Sequence, residues 1–361
     1  MPPEIPRFAR DKLKKILFLV TDAYGGHGGI ALFNREFCAA LEGVEITVIP
    51  RVVRGLVQDP PPHVHFVAEA AEGPVAYLRA VAAARRAKPD LVICGHVNLL
   101  PLAFGRPLLV VHGIEAWKRR RLPLSRCSAV LSVSALTRDR FTGWSGFDGP
   151  TFVLPNAVHL DHYGIRPKRE DFIARYRLEG KRVLLTVGRL EAAERSKGFD
   201  EMLEVLPDLP EDVVYMIAGG GNDAPRLQLR ARELGVASRV VFTGLFADEE
   251  KQDLYNLADA YVMPSRGEGF GFVFLEAMAC GVPAIGSKLD GGREALLDGK
   301  LGMLVDPTNR AEIRAAILET LERGERRIPE GLEYFSFENF ADRANAVIQA
   351  LTSNRVATSS V

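Results

Sequence analysis

The sequence contains few of the residues that cross-link a chain or anchor it in a membrane. Its four cysteines, Cys38, Cys94, Cys127 and Cys280, lie far apart and form no Cys-x-x-Cys pair, which argues against a structural zinc site and against a dense disulfide framework. No segment reaches the roughly 20 uninterrupted apolar residues of a membrane-spanning helix, and the N-terminal stretch has no apolar signal core. These absences predict a soluble, cytoplasmic protein.

A net charge and metal-binding patterns are absent as well. The 46 basic and 46 acidic side chains cancel, so no overall field would recruit nucleic acid, and any anion-binding site must be local. No Asp-x-Asp pattern occurs, and the histidines and cysteines lack the spacing of metal ligands. We therefore expect no bound metal.

What the sequence does have is a regular alternation of short apolar runs with longer helical patterns. Such alternation is typical of parallel sheets covered by helices on both faces. A chain of 361 residues also exceeds a single ordinary core, which stops growing at roughly 250 to 300 residues. The pattern predicts an α/β protein with two doubly wound, Rossmann-like domains facing an interdomain cleft. The expected strands are KKILFLV, EITVIP, VHFVAE, DLVICG, PLLVVHG, AVLSVS and TFVLPN in the first half, and RVLLTVG, VVYMIAG, VVFTG, AYVMPS, PAIGS and GMLVDP in the second.

The border between the domains is expected where a strand gives way to a charged, turn-rich stretch, near residues 157–165. We assign residues 1–160 to an N-terminal domain and residues 161–337 to a C-terminal domain. Apolar residues at helical spacing predict a terminal helix, 338–361, that completes the N-terminal domain. Because ligands of open parallel sheets bind beyond the carboxyl ends of the strands, functional residues are expected in the loops that follow strands.

The first such loop contains GHGGIA, residues 26–31. Gly28 and Gly29 would let the backbone approach a ligand, and the free amides of a helix start attract phosphate. The same residues match G-x-G-x-x-A, a version of the dinucleotide fingerprint, which would indicate an NAD-dependent dehydrogenase. Against this, TDAYG precedes the motif, and the second strand ends in Pro50 and Arg51 without an acidic ribose ligand. A tight turn without a ligand is the other interpretation.

A second loop, VGRLEAAERSKGFDEML, carries fixed cations near a helix start. Arg189 and Lys197 there suit a diphosphate, because guanidinium and ammonium groups bind phosphate oxygens. The alternative is a solvated, charged loop, which we favour for Arg195.

The stretch SRGEGFGFVFLEAMACGVPAIGS places Glu268 on a loop and Glu276 on the helix that follows. The amides of residues 270–272 could meet an anion or sugar hydroxyls, and Glu276 could accept both hydroxyls of a ribose. The alternative is that both glutamates are solvated surface charges.

The ordered run VGRL…KGFD…AGGG…VVFTGLF…EEKQDLYNLADAYVMPSRGEGFGFVFLEAMACGVPAIGS…GG…E resembles the C-terminal domain of the retaining glycosyltransferase family often called family 4, which has the two-domain GT-B fold. The resemblance is dense over residues 183–307 and looser at VVHGIEAW, LSVSALTRDRF and VLPN. It implies that Arg189, Lys197 and Glu268 are catalytic: the cations would neutralise the leaving diphosphate, and the carboxylate would bind the donor sugar. The substrate-binding residues that it implies are Gly28, Gly29, His112, Gly188, Phe270, Gly271, Phe272 and, for the ribose, Glu276.

Two positions depart from the family pattern. Arg189 and Lys197 are farther apart than is common, so the loop EAAERS is expected to bulge for both to reach one diphosphate, and Asn156 is followed by Ala157 rather than glycine. Of the other histidines, we expect His63, His65 and His96 in core or loop positions and His159 and His162 facing solvent, and we leave His27 open between acceptor contact and a turn position.

The resemblance implies a metal-independent hexosyltransferase that retains the anomeric configuration and uses no cofactor besides its nucleotide-diphosphate sugar donor. The N-terminal half is similar to bacterial enzymes that build surface polysaccharides, with a lipid-linked or saccharide acceptor. We place GDP-mannose first among the donors, with UDP-sugars as the alternative; a nucleotide-sugar epimerase and a non-catalytic nucleotide-sugar binding protein are further alternatives. The basic patch WKRRRLPLSR, residues 117–126, could meet a lipid diphosphate or anionic headgroups at the inner membrane face, or be a solvated loop.

Overall fold

The computed structural model describes residues 13–324 and 326–358, except for the side chains of Ile114 and of residues 353–358. The chain divides into two units. Unit 1 comprises the residues up to Ala157 together with those from Phe337 onward, and unit 2 comprises Val158–Ser336.

Unit 1 contains seven strands, each within or beside a predicted apolar run. These are β1 (Lys15–Val20), β2 (Glu45–Pro50), β3 (Val64–Phe66), β4 (Leu91–Cys94), β5 (Leu108–Val111), β6 (Ala129–Ser132) and β7 (Thr151–Val153). They form one parallel sheet in the order β3-β2-β1-β4-β5-β6-β7. The central strands β4, β5 and β6 are buried at every position, which explains their unbroken apolar sequences.

Four helices of unit 1 lie between these strands: α1 (Gly29–Ala40), α2 (Pro74–Arg86), α3 (Ile114–Trp117) and α4 (Ala135–Ser145). On α1, Phe37 meets Phe18 of β1 edge-on, with 5.9 Å between the ring centroids. The Ser134 hydroxyl accepts a hydrogen bond of 3.0 Å from the amide of Thr137 and so begins α4.

Unit 2 is also built around a parallel sheet, and its described residues form six strands, all in predicted positions. These are β8 (Arg182–Val187), β9 (Val213–Ala218), β10 (Val240–Gly244), β11 (Ala260–Met263), β12 (Ala284–Ser287) and β13 (Met303–Val305). They form a parallel sheet in the order β10-β9-β8-β11-β12-β13. The helices of this unit are α5 (Glu170–Tyr176), α6 (Phe199–Val205), α7 (Ala224–Glu233), α8 (Lys251–Leu257), α9 (Phe272–Ala279), α10 (Gly292–Ala295) and α11 (Arg310–Arg323).

The terminal helix α12 (Phe337–Thr358) belongs to unit 1 and packs on α1. Phe340 meets Phe33 edge-on at 5.9 Å, and Asn345 donates a hydrogen bond of 2.8 Å to the carbonyl of Ala40. The predicted end of this helix at residue 361 lies outside the described residues. Within the described part of the chain, α12 and the other helices are all too short or too polar to cross a bilayer.

Each sheet has one place where the strand order changes direction. The neighbours there are β1 and β4 in unit 1, and β8 and β11 in unit 2. In doubly wound folds a ligand binds beyond the carboxyl ends of the strands at this switch point. The loops that follow β8 and β11 are the two that carry the predicted cations and glutamates.

Candidate functional site

Lys197 and Glu268 form an ion pair beyond the carboxyl ends of β8 and β11. Lys197 ends a short 3-10 segment, Ala192–Lys197, that follows β8. At the next residue, Gly198, φ is +87°, and a Cβ would lie 2.7 Å from the carbonyl oxygen of Pro264, so glycine is needed for this segment to pack against the end of β11. The Lys197 ammonium is thereby 3.1 Å from Glu268 Oε2.

The electrostatics of the pair keep both groups charged. The negative charge of Glu268 is the largest influence on Lys197 and raises the pKa of its ammonium despite burial. Burial would raise the pKa of Glu268, but the charge of Lys197 and hydrogen bonds to the carboxylate outweigh it, and the pKa lies below its usual value. The site therefore offers a fixed cation and a fixed hydrogen-bond acceptor side by side.

Glu194 connects the two cations that were predicted to bind one anion. The Arg189 guanidinium, which follows β8 after Gly188, donates to Glu194 Oε1 at 2.6 Å, and Glu194 Oε2 is 4.0 Å from the Lys197 ammonium. The loop that was expected to bulge is the 3-10 segment, kinked at Glu194. An anion that binds both cations must therefore take over the hydrogen bond of Arg189 to Glu194. The Arg189 side chain is 64% exposed and accessible for this exchange.

The turn between β11 and α9 presents backbone rather than side chains. The Phe270 ring is buried and meets Phe335 edge-on at 5.5 Å between centroids. Gly271 precedes α9 with a φ of 94°, and Phe272 is the first helical residue. Because the first amides of a helix have no partner within it, Phe272 can contact a ligand through its N–H group, whereas the Phe270 amide hydrogen-bonds to the Glu268 carboxylate.

Glu276 is buried on α9 and already accepts several hydrogen bonds. They come from the hydroxyls of Tyr255, at 2.6 Å, and Tyr163, at 3.0 Å, and from the ammonium of Lys251. A carboxylate has about four acceptor sites, so roughly one remains. A diol donating two hydrogen bonds must then displace one partner, and Tyr163 and Lys251 are partly exposed whereas Tyr255 is buried. With an exposed fraction of 4%, Glu276 is not the solvated surface charge of the alternative interpretation.

The glycine loop of unit 1 is braced by α1. The helix begins at Gly29, and Gly28 precedes it with a φ of 95°. Arg35 on α1 donates hydrogen bonds of 2.9 Å to the carbonyls of Ala23 and Gly26. Since Gly28 and Gly29 are exposed, the amides at the start of this helix are accessible.

His112, at the end of β5, is held as a neutral imidazole. Its Nε2 lies 2.9 Å from the carbonyl of Gly95, which can only accept, so Nε2 carries the proton. Burial lowers the pKa of His112, and its ring meets Phe33 edge-on at 5.0 Å. Glu115 Oε1 accepts a 3.1 Å hydrogen bond from the His112 amide, whereas its Oε2 is buried without a hydrogen-bond partner in the part of the chain that the structure describes.

Two other predictions concern histidines. His96 begins the 3-10 segment Val97–Leu102, where its Nδ1 accepts a 3.1 Å hydrogen bond from an amide, which confirms the loop position. Among residues 13–324 and 326–358, the one group that could hold a metal ion is His159, Asp161 and His162. The two imidazoles stack with an interplanar angle of 22°, so their in-plane lone pairs do not converge on one ion. The expected absence of a metal stays a prediction.

Sequence reasoning missed Glu194, Tyr163 and Lys251. Glu194 had a local signal, since it is an acid between two cations of the same loop. Tyr163 lies 113 residues from Glu276, and no spacing rule connects them before the fold is known.

Comparison with known proteins places a family domain on this site. Residues 168–328 match the family model described as glycosyl transferases group 1. The chain is 36% identical over 203 residues to the GDP-mannose-dependent alpha-(1-6)-phosphatidylinositol monomannoside mannosyltransferase of Mycolicibacterium smegmatis, covering 53% of this chain and 52% of that protein. It is 38% identical over 189 residues to the D-inositol 3-phosphate glycosyltransferase of Geodermatophilus obscurus, covering 48% of this chain and 41% of that protein. The chain thus spans about half the length of these curated relatives.

Solved structures match over nearly the full length. Anabaena Alr3699/HepE, in complex with UDP and glucose, gives a TM-score of 0.73 at 19% identity, covering 93% of this chain and 99% of that one. Sucrose-phosphate synthase from Thermosynechococcus elongatus gives a TM-score of 0.74 at 20% identity, covering 94% of this chain and 100% of that one. At such identities the likeness concerns the fold. The chain therefore has the two-domain GT-B fold, and its residues 168–328 match the glycosyl transferases group 1 model.

Proposed function

We propose that this chain is a glycosyltransferase in which unit 2 binds a nucleotide-diphosphate sugar, from which a hexose passes to a lipid-linked or saccharide acceptor. The observation that carries the proposal is the Lys197–Glu268 ion pair, with Arg189 nearby, beyond β8 and β11 at the switch point of a glycosyltransferase group 1 domain. Lys197 and Arg189 bind the diphosphate, and Glu268 accepts hydrogen bonds from the sugar. Glu276 accepts them from the ribose.

The remaining substrate contacts are part of the same proposal. In unit 2 the backbone at Gly188 and at the start of α9 approaches the donor, where helix amides favour negative charge. In unit 1 the exposed helix start at Gly28 and Gly29 and the neutral imidazole of His112 contact substrate. The backbone contacts at the start of α9 are made by Phe270, Gly271 and Phe272.

The proposed reaction retains the configuration of the anomeric carbon and needs no metal. The acceptor oxygen attacks the anomeric carbon on the face from which the diphosphate leaves. The new C–O bond forms as the bond to the diphosphate breaks, the diphosphate keeps the bonding electrons, and one of its oxygens takes the acceptor proton. Lys197 and Arg189 stabilise the charge that develops on the diphosphate, the role that a divalent cation would otherwise take.

GDP-mannose is the proposed donor, supported by the mannosyltransferase of M. smegmatis, whose name states that dependence. UDP-sugars are the alternative, because the similar Anabaena structure holds UDP and glucose. The deciding experiment is calorimetric binding of GDP, UDP, ADP, dTDP and NAD(H) to the purified protein, with and without EDTA. Selective binding of one nucleoside diphosphate, unchanged by EDTA, is expected. Binding of NAD(H) alone would point to a dehydrogenase, and conversion of a donor sugar without acceptor would point to an epimerase.

Tyr163→Phe is expected to tighten binding of the nucleoside diphosphate by about tenfold, because a hydrogen bond to a charged group, worth about 1.5 kcal/mol, no longer has to be displaced from Glu276. The measurement is calorimetric titration of wild type and variant. Tyr334→Phe, at an exposed tyrosine of the same unit, is the matched control. Weaker binding by Tyr163→Phe would mean that the Tyr163 hydroxyl supports the ligand rather than competing with it.

The basic patch, residues 117–126, is the proposed contact with an anionic lipid surface. Lys118, Arg119 and Arg121 are exposed. The Arg140 guanidinium lies over the adjoining Trp117 ring, 4.9 Å from the ring centroid. Basic side chains at the surface of an anionic bilayer contribute about 1 kcal/mol each. Such a surface would bring a lipid-linked acceptor to unit 1.

Replacing Lys118, Arg119 and Arg121 together by glutamine is expected to weaken binding to anionic vesicles by roughly 100-fold, from about 1 kcal/mol per residue. Cosedimentation with phosphatidylserine-containing vesicles at low and high salt measures this. A control with the same charge change replaces Lys181, Arg232 and Lys300, exposed residues of unit 2. Equal vesicle binding by wild type and the patch variant would leave the patch as a solvated loop.

A further inference from the structure

A buried carboxyl group joins the Glu268 turn to the start of α10. Asp290 is fully buried in the turn between β12 and α10. Its Oδ2 accepts hydrogen bonds from the Ser265 hydroxyl at 2.7 Å and from the Glu268 amide at 2.9 Å. Its Oδ1 accepts one from the Gly292 amide at 3.1 Å. Three donors therefore converge on one side chain, and two of them belong to the turn that carries Glu268.

The neighbouring residue, Gly291, holds the other backbone polar group of Glu268, its carbonyl. The amide of Gly291 donates a 2.9 Å hydrogen bond to the carbonyl of Glu268. A Cβ at Gly291 would lie 2.0 Å from the carbonyl oxygen of Gly269, so glycine is required for this close approach. Both the N–H and the C=O of Glu268 are thus held by residues 290 and 291, and the direction of its side chain toward Lys197 depends on them.

We propose that Asp290 is a positioning residue that, in its ionised form, holds the Glu268 carboxylate in the position in which it binds the donor sugar. The inference rests on the proposed function, since it assigns Asp290 a part in the same reaction. An ionised carboxylate accepts from all three donors at once. A protonated one must place its own O–H against a group that can accept, and of the three donors the Ser265 hydroxyl alone can reverse, because backbone amides cannot. Protonation removes the charge that strengthens the hydrogen bonds from the Glu268 and Gly292 amides, and so weakens the hold on the Glu268 turn.

Asp290 is also the group of this site whose charge changes near neutral pH. Burial is the main reason that its pKa is raised to about 7, the negative Glu268 adds to the shift, and the hydrogen bonds oppose it. The pKa of Glu268 is lowered and that of Lys197 is raised, so both groups stay charged. α9 presents the apolar Phe274 to this turn. The other charged groups on the packed elements include Arg266, paired with Glu201, Arg293, paired with Asp298, Lys288, paired with Glu312, Glu276, paired with Lys251, and Glu294.

Asp290→Asn tests the inference with almost unchanged volume. The amide nitrogen must face either the Glu268 amide or the Gly292 amide, so one backbone donor meets another donor. We expect kcat to fall between about tenfold and 100-fold, the range for a displaced catalytic group. The dissociation constant of the free nucleoside diphosphate, which lacks the sugar, should stay within about threefold because its contacts lie elsewhere.

The pH profile of kcat distinguishes a positioning role from a purely structural one, because a group that only supports the fold would not change that profile. Wild type is expected to lose activity as the pH falls through about 7, and Asp290→Asn should lack this acid limb. Ser265→Ala keeps the carboxylate but removes a hydrogen bond that lowers its pKa, so its acid limb should move to higher pH. This second variant remains informative if Asp290→Asn does not fold.

The outcomes separate this inference from the proposed function. Wild-type protein that neither binds nor turns over any nucleotide sugar would overturn both. Normal wild-type turnover with the same acid limb in Ser265→Ala and in Asp290→Asn would overturn the role of Asp290 alone. An equal loss of kcat and of nucleoside diphosphate affinity in Asp290→Asn would also overturn it, since that result indicates general damage to unit 2.

Discussion

Lys197→Ala is expected to lower kcat by about 100-fold or more, as removal of a preorganised charge-stabilising group does in other enzymes. The ammonium lies beside Glu268 at the end of β8, and it keeps its proton because that carboxylate raises its pKa. A permanent cation here can stabilise a diphosphate as the glycosyl bond breaks. Arg189 cannot replace it, because its side chain is mostly exposed and its charge is screened by solvent.

The pH dependence of the loss follows from the charges of the ion pair. The stabilising contribution of Glu268, whose folded pKa is lowered, is present above its ordinary 4.5 and lost as the pH falls through the lowered value. That of Lys197, whose folded pKa is raised, is present below its ordinary 10.5 and lost as the pH rises through the raised value. Without Lys197 the burial of Glu268 is no longer opposed by that cation and the Glu268 pKa rises, so the ratio of wild-type to variant kcat is expected to increase as the pH falls from about 9 to about 6.

Lys181→Ala is the control for this experiment. Lys181 is exposed and precedes β8, at the opposite end of the strand from Lys197. Thermal melting of both variants distinguishes a lost catalytic group from a damaged fold. Near-normal kcat in a folded Lys197→Ala protein would contradict the diphosphate assignment.

Glu276→Gln is expected to weaken nucleoside diphosphate binding between about 10- and 100-fold, since hydrogen bonds to a charged group are worth about 1.5 to 3 kcal/mol. Glutamine keeps the volume of the side chain but removes its charge and turns one acceptor into a donor. With saturating donor, kcat should stay within about threefold, because uniform binding energy affects KM rather than the chemical step.

The same substitution carries a structural cost that must be measured beside it. The Tyr255 hydroxyl and the Lys251 ammonium both donate to Glu276, and Tyr255 is fully buried. We expect a lower melting temperature, because the amide group of glutamine cannot accept from every donor that the carboxylate serves. Glu233→Gln, on the exposed side of α7, is the control. Unchanged nucleoside diphosphate affinity in a folded Glu276→Gln protein would exclude the ribose role.

The two sheets could be predicted because their signal is local. Apolar runs such as DLVICG and PLLVVHG form strands where expected, since a strand buried on both faces has to be apolar along its whole length. The helical spacing of Phe340, Ala344 and Val347 likewise predicted a buried face of α12. The contact between Lys197 and Glu268 was not itself predicted, although both residues lie in loops that follow strands, where functional residues were expected.

The internal partners of the site could not be predicted in this way. The hydroxyl of Tyr163 reaches Glu276 across 113 residues, and Asp290 reaches the Glu268 turn from another strand. Both contacts depend on tertiary packing, for which a single sequence has no periodic signal. Glu194 was visible as an acid in a basic loop, but its hydrogen bond to Arg189 requires the kink within the 3-10 segment.

Glycosyl transfer by this protein is best tested by acceptor-dependent release of nucleoside diphosphate from nucleotide sugars, compared between wild type and Lys197→Ala. GDP-mannose and UDP-glucose are supplied in turn with a lipid extract or a saccharide mixture as acceptor, in the presence of EDTA, and the anomeric configuration of the product is read by NMR. We expect release from one donor by wild type, a retained configuration, and about 100-fold slower release by the variant. Release from neither donor, a product of inverted configuration, or equal rates for the two proteins would contradict this expectation.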